Sequence, residues 1–440
     1  MAGATASRRA LVAICAASVA LGLANVLRYQ PGAGYDATDH MAYADGLVPG
    51  GHFPHGTGEY YTPPGFYALA GAADWVARRL GVSFYAGYRA GMALNVLFLL
   101  ATVVLVWKLA QELWPGRDRL ALAAAAFVAF LPASVKAEAM FHPEMLSLAA
   151  CTLALWLCAR TFRDHRYAPA LGVALGLAQL TRAFALWTVF VVLVALAAGR
   201  RWRELAVALV LAAAVPAPWY VHQAVEYRGN PVFPRPATQL AHTASGTVKP
   251  LWARRPARFY LDPGLPAVVS TPYQEHFANL AWPTAYAELW GDYFGVWVWN
   301  WTKASPLPPA PVRAELAAQS AAGILPTLLA VAGWAAVLAA AVRRPFHRGT
   351  TVEGARRGAR LAVALLPLVG ILGWLYFAVS YPTPVGDVLK GSYMLSTAAG
   401  WALGFGYALE RLRGRLATAA LAALSAGLLL QVPFLLGLRW

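Results

Sequence analysis

Long apolar runs separated by short polar segments extend over most of the chain. Many of them reach about 20 residues, the length a helix needs to cross the hydrocarbon core of a bilayer. Because backbone polar groups find no water inside lipid, such runs are expected to be helices. The pattern predicts an all-α polytopic membrane protein with eleven spans, near residues 10–28, 88–111, 119–135, 143–160, 168–182, 183–199, 204–222, 322–342, 360–380, 391–409 and 416–438.

Composition agrees with a membrane protein and argues against a nucleic-acid-binding protein. Of the 440 residues, 59% are hydrophobic and 13% are charged, where soluble domains carry about 25%. The formal charge of +16 raises the question of nucleic-acid binding. The basic residues lie in short loops at alternate span ends, whereas nucleic-acid binding needs a basic stripe on a soluble face. We therefore expect the lipid bilayer, and no nucleic acid, as a partner.

The distribution of charge predicts the orientation. The N-terminus and the loops around 108–119, 160–166, 200–204, 343–360 and 410–415 together hold 20 Lys and Arg but 6 Asp and Glu. The remaining residues carry a net charge of only +2. By the positive-inside rule the first set is cytoplasmic. This predicts a multi-pass cell-membrane protein with a cytoplasmic N-terminus, whose outer segments are 29–63, 136–144, 223–321 and 381–390.

Three parts follow from this layout. Residues 1–222 form an N-terminal transmembrane module whose first outer loop, 29–87, is unusually polar. Residues 223–321 form a long outer loop, expected to hold short helices because long loops without structure are uncommon. Residues 322–440 supply the C-terminal transmembrane helices. The stretch 64–80 follows Pro63-Pro64, which suits the start of a helix, and is expected to lie along the outer surface.

The first outer loop carries the strongest candidate chemistry. Asp36, Asp39 and His40 follow the first span directly, and Asp36 and His40 share a helical face. A carboxylate here can take a proton from an alcohol, which makes these three residues the candidate catalytic group. The alternative is that Asp36 merely caps a helix over 37–46.

This loop resembles a known family. Its Tyr35-Asp36-x-x-x-His40-x-x-Tyr43 and Tyr61-x-Pro-Pro-x-x-Tyr67 motifs are similar to the first outer loop of GT-C glycosyltransferases of the family 39 type, which includes protein mannosyltransferases and the lipid A aminoarabinose transferase. These membrane enzymes use polyprenyl-phosphate sugars. The resemblance implies that Asp36 is the catalytic or acceptor-orienting carboxylate, although Ala37 replaces the usual second acid.

Further short fragments resemble the same group in the same order along the chain. They are Arg89 at the start of a span, Leu180-Thr181-Arg182, Trp290-Gly291-Asp292-Tyr293-Phe294-Gly295 and Lys390-Gly391-Ser392-Tyr393-Met394-Leu395. Serine at 392 stands where the family has arginine. The resemblance implies a donor-phosphate site, for which the candidates are Lys390, Arg182, Arg89 and Tyr393. Snorkelling of these cations toward lipid headgroups is the alternative.

Other polar and aromatic residues at outer span ends are candidates for the acceptor side of a cavity. They are Glu59, Tyr61, His142, Glu144 and Trp290. His142 and Glu144 alone are a weak metal signal, because a site needs more ligands. Pro143 and Glu144 also fit the ordinary start of a helix. No metal site is predicted and no cofactor is certain, although a divalent metal is compatible with the resemblance.

By resemblance the reaction would invert the anomeric centre, and these residues together predict a glycosyltransferase. It would move a sugar, hexosyl or pentosyl, from a polyprenyl-phosphate donor to a hydroxyl of a glycan, lipid or protein on the extracytoplasmic side, with Asp36 as general base. One alternative is a lipid-linked glycan transporter, or flippase, which would need ionisable groups at mid-span. Another is an O-antigen ligase or polymerase. No Walker loop, nucleophile elbow or zincin motif is present in the sequence.

Overall fold

The computed structural model describes residues 2–34, 36–53, 59, 61–227, 256–273, 280–292, 309–343, 352–380 and 390–429. Within these ranges the regular structure is entirely helical, as predicted. Three short 3₁₀ helices lie at His165–Tyr167, Ala183–Ala185 and Gly391–Thr397. The α-helices are α1 Ala2–Arg28, α2 Ala37–Leu47, α3 Gly65–Arg79, α4 Phe84–Leu113, α5 Asp118–Phe130, α6 Pro132–Ala137, α7 Glu144–Arg163, α8 Ala168–Gln179, α9 Leu186–Ala198, α10 Trp202–Ala214, α11 Ala217–Tyr227, α12 Ala257–Leu261, α13 Ala267–Ser270, α14 Ala281–Trp290, α15 Ala310–Val342, α16 Val352–Ser380, α17 Ala398–Leu409 and α18 Arg415–Leu429.

Several helices are long and apolar enough to cross a membrane, which makes this a multi-pass membrane protein. In the described ranges five qualify by length and composition: Thr5–Arg28, Phe84–Leu113, Glu144–Arg163, Ala310–Val342 and Glu353–Tyr376. The pair α10 and α11, bent by 47°, makes a sixth if it counts as one span. The predicted total of eleven stays a prediction, because other apolar helices here are shorter. The helix α3 has 15 residues and is not among the spans.

One hydrophobic core joins the N-terminal and C-terminal helices. It includes Leu109 of α4, Leu155 of α7, Leu366 of α16 and Leu403 of α17, all buried. The predicted parts 1–222 and 322–440 therefore pack together around shared apolar side chains. Apolar residues outside this core, such as Leu328 of α15, remain exposed on the surface of the protein, as expected for helices that face lipid.

The loops that the charge count assigns to one side meet in the structure. Arg117 contacts Glu410 at 2.9 Å. Arg163 pairs with Glu112, and the Arg201 guanidinium donates to the carbonyl of Thr161 at 3.2 Å. These contacts lie at the C-terminal end of α4 and α7. The N-terminal ends of α4 and α7 lie a helix length away, and the first loop packs against them. We call this end of the bundle the site end.

A network of charges anchors the first loop to the bundle at the site end. Arg78 of α3 bridges Asp45 of α2, at 3.1 Å, and Asp74 of α3. The Tyr88 hydroxyl of α4 donates to Asp45 at 2.5 Å, and Phe84 stacks on the Arg78 guanidinium. Because these bonds join α2, α3 and α4, they hold the segment that begins at Asp36 in a defined position.

The contact between α15 and α17 depends on glycine. A Cβ at Gly333 would overlap the carbonyl of Gly404, and a Cβ at Gly404 would lie 2.7 Å from the carbonyl of Ala330. Small residues at such a crossing let two helix backbones approach closely, which is a common source of stability in membrane proteins.

Gly333→Val is therefore expected to destabilise the protein by about 1–3 kcal/mol, because the added methyl groups force the two helices apart. The measurement is thermal unfolding in detergent. The matched control is Ala332→Val, which places the same side chain on the neighbouring, exposed position of α15. Equal effects of the two substitutions would contradict the assignment of Gly333 to a tight helix contact.

Candidate active site

Two residues far apart in the sequence form an ion pair at the site end. The Lys390 ammonium donates to Asp36 Oδ2 at 2.8 Å. The Lys390 side chain is 13% exposed and that of Asp36 is 44% exposed, so the carboxylate is accessible from outside. The structure thus brings together the leading catalytic candidate and the leading phosphate-binding candidate.

The backbone directs Asp36 away from the helix it precedes. Asp36 has a φ of 52°, in the left-handed region, and its side chain makes no hydrogen bond to the first turn of α2. The capping interpretation of Asp36 is therefore wrong. Asp tolerates this conformation better than most residues, which explains how a non-glycine residue occupies the position.

A second ion pair lies beside the first. The Arg182 guanidinium donates to Glu144 Oε1 at 2.7 Å, and both side chains are less than a tenth exposed. Glu144 begins α7 and Arg182 follows α8, so the pair joins two helix ends. Glu144 does occupy a helix start after Pro143, as the alternative interpretation states, but its carboxylate binds a buried cation there.

Aromatic and imidazole rings fill the space around the ion pairs. His40 Nδ1 and the Tyr67 hydroxyl share a hydrogen bond of 2.7 Å. The His40 ring meets the His142 ring edge-on at 4.3 Å, and His142 Nδ1 is 3.6 Å from Glu144 Oε1. Tyr393 lies beneath the Arg182 guanidinium, 5.8 Å from ring centre to Cζ. These contacts make one continuous cluster from α2 to the 3₁₀ helix at Gly391–Thr397.

The segment before Pro63 contributes an acid to the same region. Glu59 accepts hydrogen bonds from the Tyr61 hydroxyl at 3.2 Å and the Thr62 hydroxyl at 2.7 Å. Its charge acts on Arg182, Lys390 and Tyr393, so it lies near both ion pairs. Asp39 lies on the exposed side of α2. Partial desolvation of its carboxyl, together with the charges of Asp36 and Glu59, raises the pKa of that carboxyl.

Burial sets the charge states of the imidazoles. It lowers the pKa of His40 well below its ordinary value, and the Arg182 charge acts in the same direction. Burial together with the charges of His40 and Arg182 does the same for His142. Both rings are therefore neutral near pH 7. Burial also opposes the charged form of Lys390, but Tyr393 and Asp36 outweigh it and raise the pKa above its usual range.

Two predicted site residues lie apart from this cluster. Arg89 is half-buried near the start of α4, and within the described ranges no hydrogen bond or salt bridge joins it to either ion pair. Trp290 is buried in the core: its ring lies against Gly323 and 6.4 Å from the Phe127 ring, and its indole nitrogen donates to Thr327 at 2.8 Å. Tyr35, Tyr60 and the aromatic residues Tyr293, Phe294, Trp297, Trp299 and Trp301 fall outside the described residues.

The sequence reasoning did not assign a role to two residues that the cluster contains. Tyr67 binds His40 and stacks on Tyr43 at 4.0 Å. Glu288, fully buried on α14, accepts a hydrogen bond from the Gly391 amide. Tyr67 belongs to the Tyr-x-Pro-Pro-x-x-Tyr motif, so the sequence alone could have identified it as a candidate. Glu288 lies within an ordinary helical stretch, so only the tertiary contact identifies it.

The donor set at this site does not match a metal centre. In the part of the chain that the structure describes, no three His, Cys, Asp or Glu side chains converge as metal ligands. Asp36 and Glu144 each bind a cationic side chain already.

Comparisons with known proteins agree with the predicted class. Residues 73–222, about a third of the chain, match the family model described as dolichyl-phosphate-mannose-protein mannosyltransferase. No match was found among curated proteins. ArnT from Cupriavidus metallidurans bound to undecaprenyl phosphate aligns over 91% of this chain and 77% of its own, at 17% identity and a TM-score of 0.40.

Solved structures of the Archaeoglobus fulgidus oligosaccharyltransferase share the fold. The complex with Zn and sulfate aligns over 96% of this chain and 52% of the archaeal one, at 15% identity and a TM-score of 0.52. The form tethered to an acceptor peptide aligns over 96% of this chain and 54% of the archaeal one, at 13% identity and a TM-score of 0.53. This chain thus spans about half the length of that protein. The predicted resemblance to GT-C membrane glycosyltransferases is confirmed in the family segment and in the fold.

Proposed function

We propose that this protein is a membrane glycosyltransferase that takes a sugar from a polyprenyl-phosphate donor and passes it to an acceptor hydroxyl. The contact between Lys390 and Asp36 carries the proposal, because it joins a cation suited to a phosphate and a base suited to an alcohol. The family match over 73–222 and the shared fold support the same class.

Unused hydrogen-bonding atoms support a polar ligand here. Arg182 Nε, His40 Nε2 and His142 Nδ1 are buried, and none of them has a hydrogen-bond partner among the residues that the structure describes. Buried polar atoms in proteins are nearly always paired, so three unpaired nitrogens in one cluster favour a ligand or ordered water as their partner. Oxygen atoms of a sugar phosphate match these groups.

The reaction would be a single displacement. Asp36 accepts the proton of the acceptor hydroxyl, whose oxygen forms a bond to the anomeric carbon. The bond from that carbon to the phosphate oxygen breaks, and its electron pair leaves with the lipid phosphate. Lys390, with Arg182 behind it, stabilises that leaving charge. Attack opposite to the leaving group inverts the anomeric centre. The donor phosphate displaces the Lys390 ammonium from Asp36, which frees the base.

Orientation is part of the proposal. The basic loop residues lie at the end opposite the candidate site, so the positive-inside rule puts the site on the extracytoplasmic face. Residues 1–222 would carry the catalytic acid and 322–440 would supply Lys390. These are divisions of role within one packed structure. The predicted outer loop 223–321 lies partly outside the described residues, at 228–255, 274–279 and 293–308.

Lys390→Met is expected to weaken binding of the polyprenyl phosphate alone by about 10- to 100-fold, since a charge-assisted contact to phosphate is lost. Binding is measured with purified protein in nanodiscs. The control is Lys108→Met, which removes a cation at the opposite end of α4.

A second experiment identifies the donor: purified protein is incubated with a panel of polyprenyl-phosphate sugars, and consumption of each sugar donor is measured. Unchanged binding in Lys390→Met, or movement of the intact donor across the bilayer without its cleavage, would contradict the proposal.

A further inference from the structure

We infer that Glu288 is a positioning residue that fixes Lys390 at the site; this rests on the proposed function of Lys390. The Glu288 side chain is fully buried on α14 and accepts a hydrogen bond from the backbone amide of Gly391, the residue directly after Lys390. Its carboxylate therefore holds the peptide that joins Lys390 to Gly391, and it acts on the ammonium through the Lys390 backbone.

The backbone after Lys390 lies unusually close to α14. A Cβ at Gly391 would be 2.8 Å from the carbonyl of Ala285 and 3.1 Å from Leu289 Cγ. The first of these neighbours is backbone and cannot move aside. Glycine at 391 thus allows the amide to reach the Glu288 carboxylate, and a larger residue would push the segment away from α14.

The helix that carries Glu288 is itself held firmly. The Tyr286 hydroxyl donates to the Ser320 carbonyl of α15 at 2.6 Å, and Trp290 donates to Thr327 of the same helix. A fixed α14 gives Gly391 a fixed anchor. The amide of Tyr393 donates to the Lys390 carbonyl at 3.2 Å, which continues the ordered backbone into the 3₁₀ helix.

This anchor matters because lysine is flexible. Its four-carbon stem gives the ammonium many positions when the backbone moves. A catalytic group misplaced by about 1 Å can lose a hundredfold in rate. Holding the backbone at 391 limits where the ammonium can be, both toward Asp36 and toward a bound phosphate. A carboxylate is a strong acceptor for the anchoring amide.

The test compares variants of Glu288 with and without Lys390. Glu288→Gln retains a carbonyl oxygen that can accept the Gly391 amide, and we expect it to bind polyprenyl phosphate within about twofold of the native protein. Glu288→Met cannot accept this bond and should bind about tenfold more weakly. In a Lys390→Met background, Glu288→Met should cause no further loss, because the group that it positions is gone.

Gly391→Ala provides a second route to the same result, since it displaces the backbone without altering Glu288; it too should weaken binding and add nothing to Lys390→Met. The matched control is Trp282→Phe, which removes an exposed hydrogen bond of α14 to the Tyr260 carbonyl, at 2.9 Å, that is not directed at Gly391. It should leave phosphate binding unchanged.

The outcomes separate this inference from the proposed function. If Glu288→Met and Gly391→Ala weaken binding as much in the Lys390→Met background as in the native protein, Glu288 has a general structural role and the inference is overturned. The same holds if Glu288→Gln fails to rescue binding. If Lys390→Met itself leaves binding unchanged, the proposed function fails first, whatever the Glu288 variants do.

Discussion

Asp36→Asn is expected to lower turnover by about 10²- to 10⁴-fold, the usual contribution of a general base. Asparagine has the same shape, tolerates the left-handed backbone at this position (φ 52°) and cannot accept the acceptor's proton at neutral pH. The variant should insert and fold normally. Because Lys390 loses its competing partner, binding of the donor phosphate should be retained or become tighter, so the effect should appear in kcat rather than in KM.

The measurement is steady-state transfer with the donor identified from the panel. Asp262→Asn serves as the control, because Asp262 also pairs with a basic residue, Arg258 at 3.0 Å, on a described part of the 223–321 segment. Asp39→Asn tests the neighbouring candidate, which is exposed. Turnover in Asp36→Asn equal to that of the native protein would eliminate Asp36 as the base. A loss confined to Asp39→Asn would move that role to Asp39.

Breaking the Glu144–Arg182 pair from one side is expected to destabilise the protein by about 3–5 kcal/mol. Arg182→Met leaves the Glu144 carboxylate buried without its cation, and Glu144→Leu leaves the guanidinium in the same condition. Both side chains are less than a tenth exposed, so water cannot compensate. The double variant should recover much of the loss, because an apolar pair no longer carries an uncompensated charge.

Thermal unfolding in detergent of the two single variants and the double variant measures this coupling. Arg117→Ala gives the comparison, because Arg117 pairs with Glu410 at 2.9 Å where Arg117 is nearly half exposed, and exposed pairs contribute about 0–1 kcal/mol. If the double variant is as unstable as the sum of the singles, the two side chains are not coupled and the cluster requires another explanation.

Several candidate site residues could be found from the sequence because they lie directly beside the ends of apolar runs. Asp36 follows the first apolar run directly, and Lys390 precedes a late one within a fragment that resembles a known family. The structure brings these two residues into contact at 2.8 Å. The catalytic and binding roles themselves stay predictions until the variants are measured.

Other residues could not be placed correctly from local patterns. Trp290 reads as an interfacial or sugar-stacking aromatic in a Trp-Gly motif, but it fills the space over Gly323 in the core. Glu288 lies in an ordinary helical stretch, yet its carboxylate accepts a hydrogen bond from the Gly391 amide. In both cases the outcome depends on a neighbour far away in the sequence, which local propensity does not encode.

The sequence by itself determined the helical membrane class and the side of the bundle on which basic loops gather, and it identified the loop that holds the candidate catalytic residues. It could do so because hydrophobic length and loop charge act locally along the chain. Tertiary structure alone decided which acid meets which cation, that His40 and His142 touch, and that Glu288 anchors the residue after Lys390. Such pairings depend on how helix ends from distant segments pack, and that geometry arises only when the bundle forms.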